Sequence, residues 1–275
     1  MKNLLIYIHP SKRFGEEEKT AIKIQIDNSL DLGWKKEDIL LVTNFDYKYN
    51  NVKAFVVKGE NYCTFCPTAS KINAIIDLFG QKLIGSHGIE EDRIYWFHDL
   101  DAYQLNYIPE SELELDGTDM LLPDFGRKPK WSTGSFFFKN SSRDIFNWVK
   151  NIMDIYKIDE EGAFCILTGQ DYYDWSSLKW IKGHTPEDTP GIKNINERIK
   201  KANITYNFHS FNVRSNYAAA LKPIRVAHFH FIERPVNPMN PKPDQIDFFL
   251  RGINKLGVQI VPERLVKIFN QHGIK

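Results

Sequence analysis

Two hydrophobic patterns alternate through the first hundred residues. Unbroken apolar runs occupy residues 3–10 (NLLIYIHP), 38–43 (DILLVT), 53–58 (KAFVVK) and 92–97 (DRIYWF). Runs this short, closed by Pro10 or by polar residues, predict strands buried on both faces. Between them lie segments with helical spacing. Residues 16–32 place Ile22, Ile26 and Leu30 on one side, and Gly33 supplies a stop. Residues 68–79 do the same with Ala69, Ile72, Ile75, Ile76 and Phe79, ended by Gly80. This alternation predicts an α/β layer built on a mixed, mainly parallel sheet flanked by helices.

The pattern changes after Asp101. Residues 120–123, 131–139 and 224–231 read as strands, with a helix over 142–156 between the second and third. The expected organisation is one domain over residues 1–234, with a nucleotide-binding half at 1–101 and a second half at 102–234 that completes a site. Four prolines between Pro235 and Pro243 predict a rigid connector. A helix carrying Ile246, Phe249, Ile253 and Leu256 follows, then another from Pro262 to Gly273. Residues 235–275 thus form a C-terminal helical extension.

Composition narrows the function. Lys plus Arg is 36 and Asp plus Glu 35, a net charge of +1. That removes the strongly basic domain typical of nucleic-acid binders, although a local basic groove stays compatible. No run approaches the roughly 18–20 apolar residues of a membrane span. Residues 4–8 are too short for a signal-peptide core. Three cysteines make no disulfide framework. A reduced, cytoplasmic protein is expected (in the host cytoplasm, if viral). No G-x-G-x-x-G or P-loop sequence is present.

The segment DRIYWFHDLDA, residues 92–102, runs an apolar strand into two acidic residues. Strand alternation predicts Asp99 and Asp101 on one side of the strand end. Paired carboxylates at the carboxyl edge of a parallel sheet suit a hard divalent cation; two solvated aspartates are the plainer reading. Far downstream, RVAHFHF carries His228 and His230, also two apart. An imidazole can complete a site begun by carboxylates, or the pair can be hydrogen-bonded within an aromatic sheet. Cys63 and Cys66 have redox or zinc spacing but lack a second pair. Trp96, Trp131, Trp175 and Trp180 are candidates for stacking on an apolar ligand face, though most read as core or rim packing. Residues 193–201 (KNINERIKK) read as a solvated helix face.

Together with KWSTGSFFFKNSS at 130–142, these segments resemble the GT-A-type, DxD-motif nucleotide-sugar glycosyltransferases. The resemblance implies a GT-A-like, Rossmann-like fold and metal-dependent transfer of a sugar from a UDP- or GDP-sugar to an acceptor hydroxyl on a glycan, a lipid-linked saccharide or another molecule. It implies that Asp99 and Asp101 hold Mn2+ or Mg2+ on the donor diphosphate, with His228 as third ligand and His230 as alternate. Donor contacts are then expected from His9, Pro10, Thr43, Asn44 and Asp46 at the first two strand ends, from Lys71, and from Ser132, Thr133 and Gly134. Ser132 stands where the family usually has Asn. The acidic stretch Asp159, Glu160 and Glu161 resembles the helix start near the acceptor. An inverting enzyme would use Glu161 or Glu160 there as base, and a retaining one would need none.

Three other readings remain. A sugar nucleotidyltransferase shares the sheet but usually has a glycine-rich loop after the first strand, where this chain has only Gly15. A glycosyltransferase acting on a hydroxylated DNA base is compatible but not favoured by the charge. A non-catalytic nucleotide-sugar binding module would have no need of both aspartates and the histidine.

Overall fold

The computed structural model describes residues 1–57, 61–80, 89–91, 93–124, 131–174, 176–185, 195–209, 213–229 and 259–274. The first apolar run forms β1 (Lys2–Tyr7), followed by α1 (Glu16–Asp31) and β2 (Ile39–Thr43). The run at 53–58 is divided between a small hairpin, β3 (Lys48–Tyr49) with β4 (Val52–Lys53), and β5 (Phe55–Val56). Next come α2 (Ser70–Gly80), β6 (Tyr95–His98), β7 (Ala102–Gln104), β8 (Met120–Pro123) and β9 (Ser135–Phe138). Helices α3 (Arg143–Tyr156) and α4 (Glu160–Leu167) precede the hairpin β10 (Tyr172–Asp174) and β11 (Lys179–Ile181). The chain continues through α5 (Ile195–Arg198), β12 (Ile199–Ala202), β13 (Phe208–His209), α6 (Val213–Ala219), β14 (Val226–His228) and α7 (Glu263–Gln271).

The main sheet has the order β12-β8-β9-β6-β1-β2-β5. Strand β9 runs antiparallel to both neighbours, and the other pairs are parallel. Alternation along each strand sends side chains to two separate cores. Tyr95, Phe97, Phe136 and Phe138 pack with Ile72, Ile75, Phe146, Val149 and Phe164 from α2, α3 and α4. Trp96 and Phe137 point the other way and pack with Ala21, Ile22 and Ile26 of α1. The sheet is therefore covered on both faces, which is why its strands read as continuous apolar runs. From β1 the chain passes to β2 on one side and later to β6 on the other. This reversal makes the carboxyl ends of β1 and β6 a topological switch point, the usual ligand crevice of open α/β sheets.

A second, three-stranded sheet has the order β13-β14-β7. Helix α7 matches the helix expected after Pro262. It packs against α1 and β7 through Leu265, Ile268 and Phe269, beside Ile24, Tyr103 and Phe229. Arg264 secures it by donating to Asn28 Oδ1 at 2.7 Å and to the Leu105 carbonyl at 2.6 Å. The predicted connector at 235–243 and the helix carrying Ile246 lie outside the described residues. Among the described residues no helix is long and apolar enough to cross a membrane.

Residues 193–201 depart from expectation. Of the described residues in this segment, Ile195–Arg198 is helical and Ile199–Ala202 forms the edge strand β12 beside β8. Ile199 and Ala202 are buried there, so the partner strand overrides the helix preference of the basic run. Arg198 fixes the junction. Its Nη1 and Nη2 each lie 2.7 Å from Asp144 on α3, and its Nε donates to Asp119 at 2.6 Å.

Hydrogen bonding from Arg198 holds the Asp144 carboxyl below the usual carboxylate range. Its contribution is complete above the unfolded pKa of about 3.9 and fades as pH falls through the lower folded value. Arg198→Ala should lower stability by about 1–2 kcal/mol at neutral pH. In urea titrations, the gap from wild type should narrow on acidification below pH ~4. A gap independent of pH would contradict the assignment.

Candidate active site

The two aspartates meet through a turn rather than through strand alternation. Strand β6 ends at His98, and the Asp99 amide donates to the Gly134 carbonyl at 2.8 Å. The chain then bends sharply, with the Ala102 amide donating to the Asp99 carbonyl at 3.0 Å. Gln25, buried on α1, braces the bend by donating to the carbonyls of Asp99 at 3.0 Å and Ala102 at 2.7 Å. Beyond the bend β7 pairs antiparallel with β14, placing His228 opposite Ala102. The Phe229 amide donates to the Asp101 carbonyl at 2.9 Å. Backbone pairing thus brings together residues 127 positions apart.

Ligand atoms of Asp99, Asp101 and His228 all lie within 4.8 Å of one another. This is the grouping able to hold a cation among the described residues. His228 Nε2 is 3.0 Å from Asp101 Oδ1. Two carboxylates and one imidazole are a donor set suited to Mn2+ or Mg2+. Gly134 makes room for it, because a Cβ there would lie 2.4 Å from His228 Cε1. His230 lies outside the described residues. His98, although next to Asp99, faces the opposite side. It tilts against the Trp96 ring with centroids 4.5 Å apart, and Gln104 Nε2 lies 2.7 Å from its Nε2. Burial pushes its pKa down to about 3, so it stays neutral.

Lys71 ties three segments together beside the aspartates. Only 4% exposed, its ammonium donates to Asp99 Oδ1 at 2.9 Å and to the Thr133 carbonyl at 3.1 Å, and pairs with Glu160 Oε1 at 2.9 Å. Burial opposes its charge, but Asp99 and Glu160 overcome that and raise its pKa. The Glu160 carboxyl is likewise opposed by burial but held below its ordinary value by Lys71. Thr133 Oγ1 donates to Glu160 Oε1 at 2.8 Å, and the Thr133 amide to Glu161 Oε1 at 3.3 Å. Asp159 caps α4 by accepting from the Gly162 amide at 2.7 Å. Cluster and helix start therefore share one wall. Ser132 is fully buried, with Oγ 2.9 Å from His209 Nε2 and a hydrogen bond from Asn207 Nδ2.

At the ends of β1 and β2, Asn44 clasps the His9 backbone, donating to its carbonyl at 2.8 Å and accepting from its amide at 3.2 Å. Thr43 is buried and donates its hydroxyl to the Phe45 carbonyl. Pro10 and Asp46 are exposed. Tyr7, Phe14 and Phe45 cluster nearby, with Tyr7 and Phe14 rings 4.7 Å apart. Trp96 and Trp131 are core residues, Trp180 is 68% exposed, and Trp175 lies outside the described residues. Cys63 and Cys66 are free thiols whose pKa values burial raises. Sequence reasoning missed Gln25, Asn207 and His209. None sits in a motif, and only the tertiary pairing brings them to the site.

No known family model matches the sequence, and no curated protein matches it. Solved structures do. The galactosyltransferase LgtC, in complex with donor and acceptor sugar analogues, superimposes with a TM-score of 0.51 at 9% identity, over 98% of this chain and 100% of that one. The glycosyltransferase GlyE of Streptococcus pneumoniae gives 0.51 at 9% identity, over 100% of this chain and 64% of that one. The chain has a GT-A-type fold. The aspartate pair stands at the carboxyl edge of this GT-A sheet, where the fold places its ligand crevice.

Lys71→Met would leave Asp99 and Glu160 facing each other without a cation. The expected loss is about 2–3 kcal/mol, below the full cost for a buried pair because Asp99 keeps partial solvent access. Adding Glu160→Gln should restore part of it. Calorimetric melting of the single and double variants checks this, and additive losses would contradict the shared role.

Proposed function

We propose that this protein transfers a sugar from a nucleoside diphosphate donor to an acceptor hydroxyl, using a divalent cation held by Asp99, Asp101 and His228. The observation that carries the reading is the convergence of these three side chains at the switch point of a GT-A-type sheet. Asp99, Asp101, Glu160 and Glu161 together bring more negative charge than Lys71 offsets. A bare diphosphate would be repelled from such a cluster, and a bound Mn2+ or Mg2+ would neutralise it and stabilise the charge developing on the leaving group. The fold shared with LgtC, which was solved with donor and acceptor sugar analogues, supports the same substrate class.

The chain's own residues have distinct tasks in this reading. The ends of β1 and β2 hold the nucleoside, with the Asn44 clasp fixing the His9 backbone. Lys71 sets the Asp99 carboxylate and supports Glu160. Glu160 Oε2 is buried and has no hydrogen-bond partner among the described residues; it accepts from a donor-sugar hydroxyl. Glu161, half-buried at the start of α4, takes the acceptor proton. The acceptor is a saccharide or another hydroxyl compound.

A nucleotide sugar should raise the melting temperature in the presence of Mn2+, and EDTA should abolish the shift, because only the folded state binds. Asp101→Asn should remove that shift. An undiminished shift in the variant at fixed Mn2+ would overturn the metal assignment. Glu161→Gln should keep the shift while turnover falls about 10²–10⁴-fold. Wild-type turnover in that variant would exclude Glu161 as the base.

A further inference from the structure

We infer that Asn207 is a positioning residue for the cation site, holding a proton on His228 Nδ1 so that Nε2 is the nitrogen presented to Asp101 and the cation. The inference rests on the metal reading above. Asn207 directly precedes β13 and is fully buried. Its side chain meets His228, whose ring packs 4.8 Å from that of His209, the residue in register with it on the paired strand. Asn207 Oδ1 is 3.1 Å from His228 Nδ1, and its Nδ2 donates to Ser132 Oγ. Ser132 Oγ is 2.9 Å from His209 Nε2.

The direction of each bond follows from what each atom can do. An amide oxygen only accepts, so the bond to Asn207 requires a proton on His228 Nδ1. Without a cation Nε2 faces an equally accept-only Asp101 carboxylate at 3.0 Å, and Asn207 decides the tautomer once a cation takes the Nε2 lone pair. The amide nitrogen donates to Ser132, and the serine hydroxyl is left to donate to His209. Each of these bonds satisfies a polar group that burial would otherwise leave costly. An isolated neutral imidazole favours the proton on Nε2, which would block that nitrogen as a ligand. Asn207 reverses the preference, as the second partner of a metal-binding histidine commonly does. Close packing holds the ring in that orientation. A Cβ on Gly134 would lie 2.5 Å from His228 Nδ1 and 3.0 Å from Asn207 Nδ2, so the ring has no space to swing that way.

Two measurements test this together. The first is a two-bond ¹H–¹⁵N spectrum of the histidine-labelled protein saturated with diamagnetic Mg2+ at mildly alkaline pH, so that Asp101 does not compete for the Nε2 proton, with His228→Gln used to assign the His228 signals. Wild type should show His228 protonated at Nδ1. The second is a Mn2+ titration of full-length protein. Asn207→Leu should weaken Mn2+ binding about 10–100-fold. Asn207→Asp keeps an acceptor oxygen and should hold Mn2+ within a few-fold of wild type or tighter. A His228 protonated on Nε2 alone, in a wild type that binds Mn2+, would overturn the Asn207 role and leave the metal reading standing. So would a folded Asn207→Leu with wild-type affinity. A wild type that binds no Mn2+ would overturn the metal reading and the role with it. If Asn207→Leu does not fold, the wild-type spectrum still decides.

Discussion

A buried ammonium needs acceptors on every side, and the architecture of the site follows from meeting that need. Lys71 projects from α2 into a region where burial leaves it little water. Asp99 comes from the end of β6, Thr133 from the segment before β9, and Glu160 from the first turn of α4. None of these segments adjoins another in sequence. Satisfying one positive charge therefore fixes the relative position of a helix, a strand end and a helix start. Breaking such a cluster costs more than its net stabilising value, since each removal strands a charge in a low-dielectric setting. The same arrangement holds the Glu160 carboxyl below its ordinary pKa, partly offsets the burial that raises that of Asp99, and orients both beside Asp101.

Positioning on the other side is done by backbone. The bend from Asp99 to Ala102 takes the chain out of the main sheet and into the small one, where β14 delivers His228. Gln25 braces the bend from α1, and α7 braces β7 through Tyr103 and Phe229, the residues packed against Phe269. Helix α1 therefore serves both the core and the turn, and α7 closes the opposite face of the small sheet. A rigid site on paired strands and braced turns holds its ligand atoms more closely than a loop would.

Much of the frame was readable from hydrophobic pattern alone. Residues 3–8, 39–43 and 95–97 are buried on both faces, so their apolar runs identify them as sheet core without ambiguity. The acidic pair was visible because it follows such a run. The reason for its convergence was not, since strand alternation gives way to a turn that depends on Gln25 and Gly134. Residues 193–201 misled because a basic, polar string has helical character until a partner strand buries Ile199 and Ala202. Asn207 and His209 carried no local signal. Their significance lies in the register of β13 beside β14, a fact of tertiary pairing that no spacing rule encodes. Ser132 shows the same limit: its place in the motif was clear, but only the structure shows its hydroxyl turned inward to Asn207 and His209.

The account stands or falls on whether three side chains, two from the turn that follows β6 and one from β14, act together on one cation. Diffraction at the manganese absorption edge, from crystals grown with Mn2+ and a nucleoside diphosphate, addresses this directly. The account predicts an anomalous peak in contact with Asp99, Asp101 and His228 Nε2, with diphosphate oxygens completing the coordination. A diphosphate bound at the switch point with no anomalous peak there, or a peak that His228 does not touch, would contradict it.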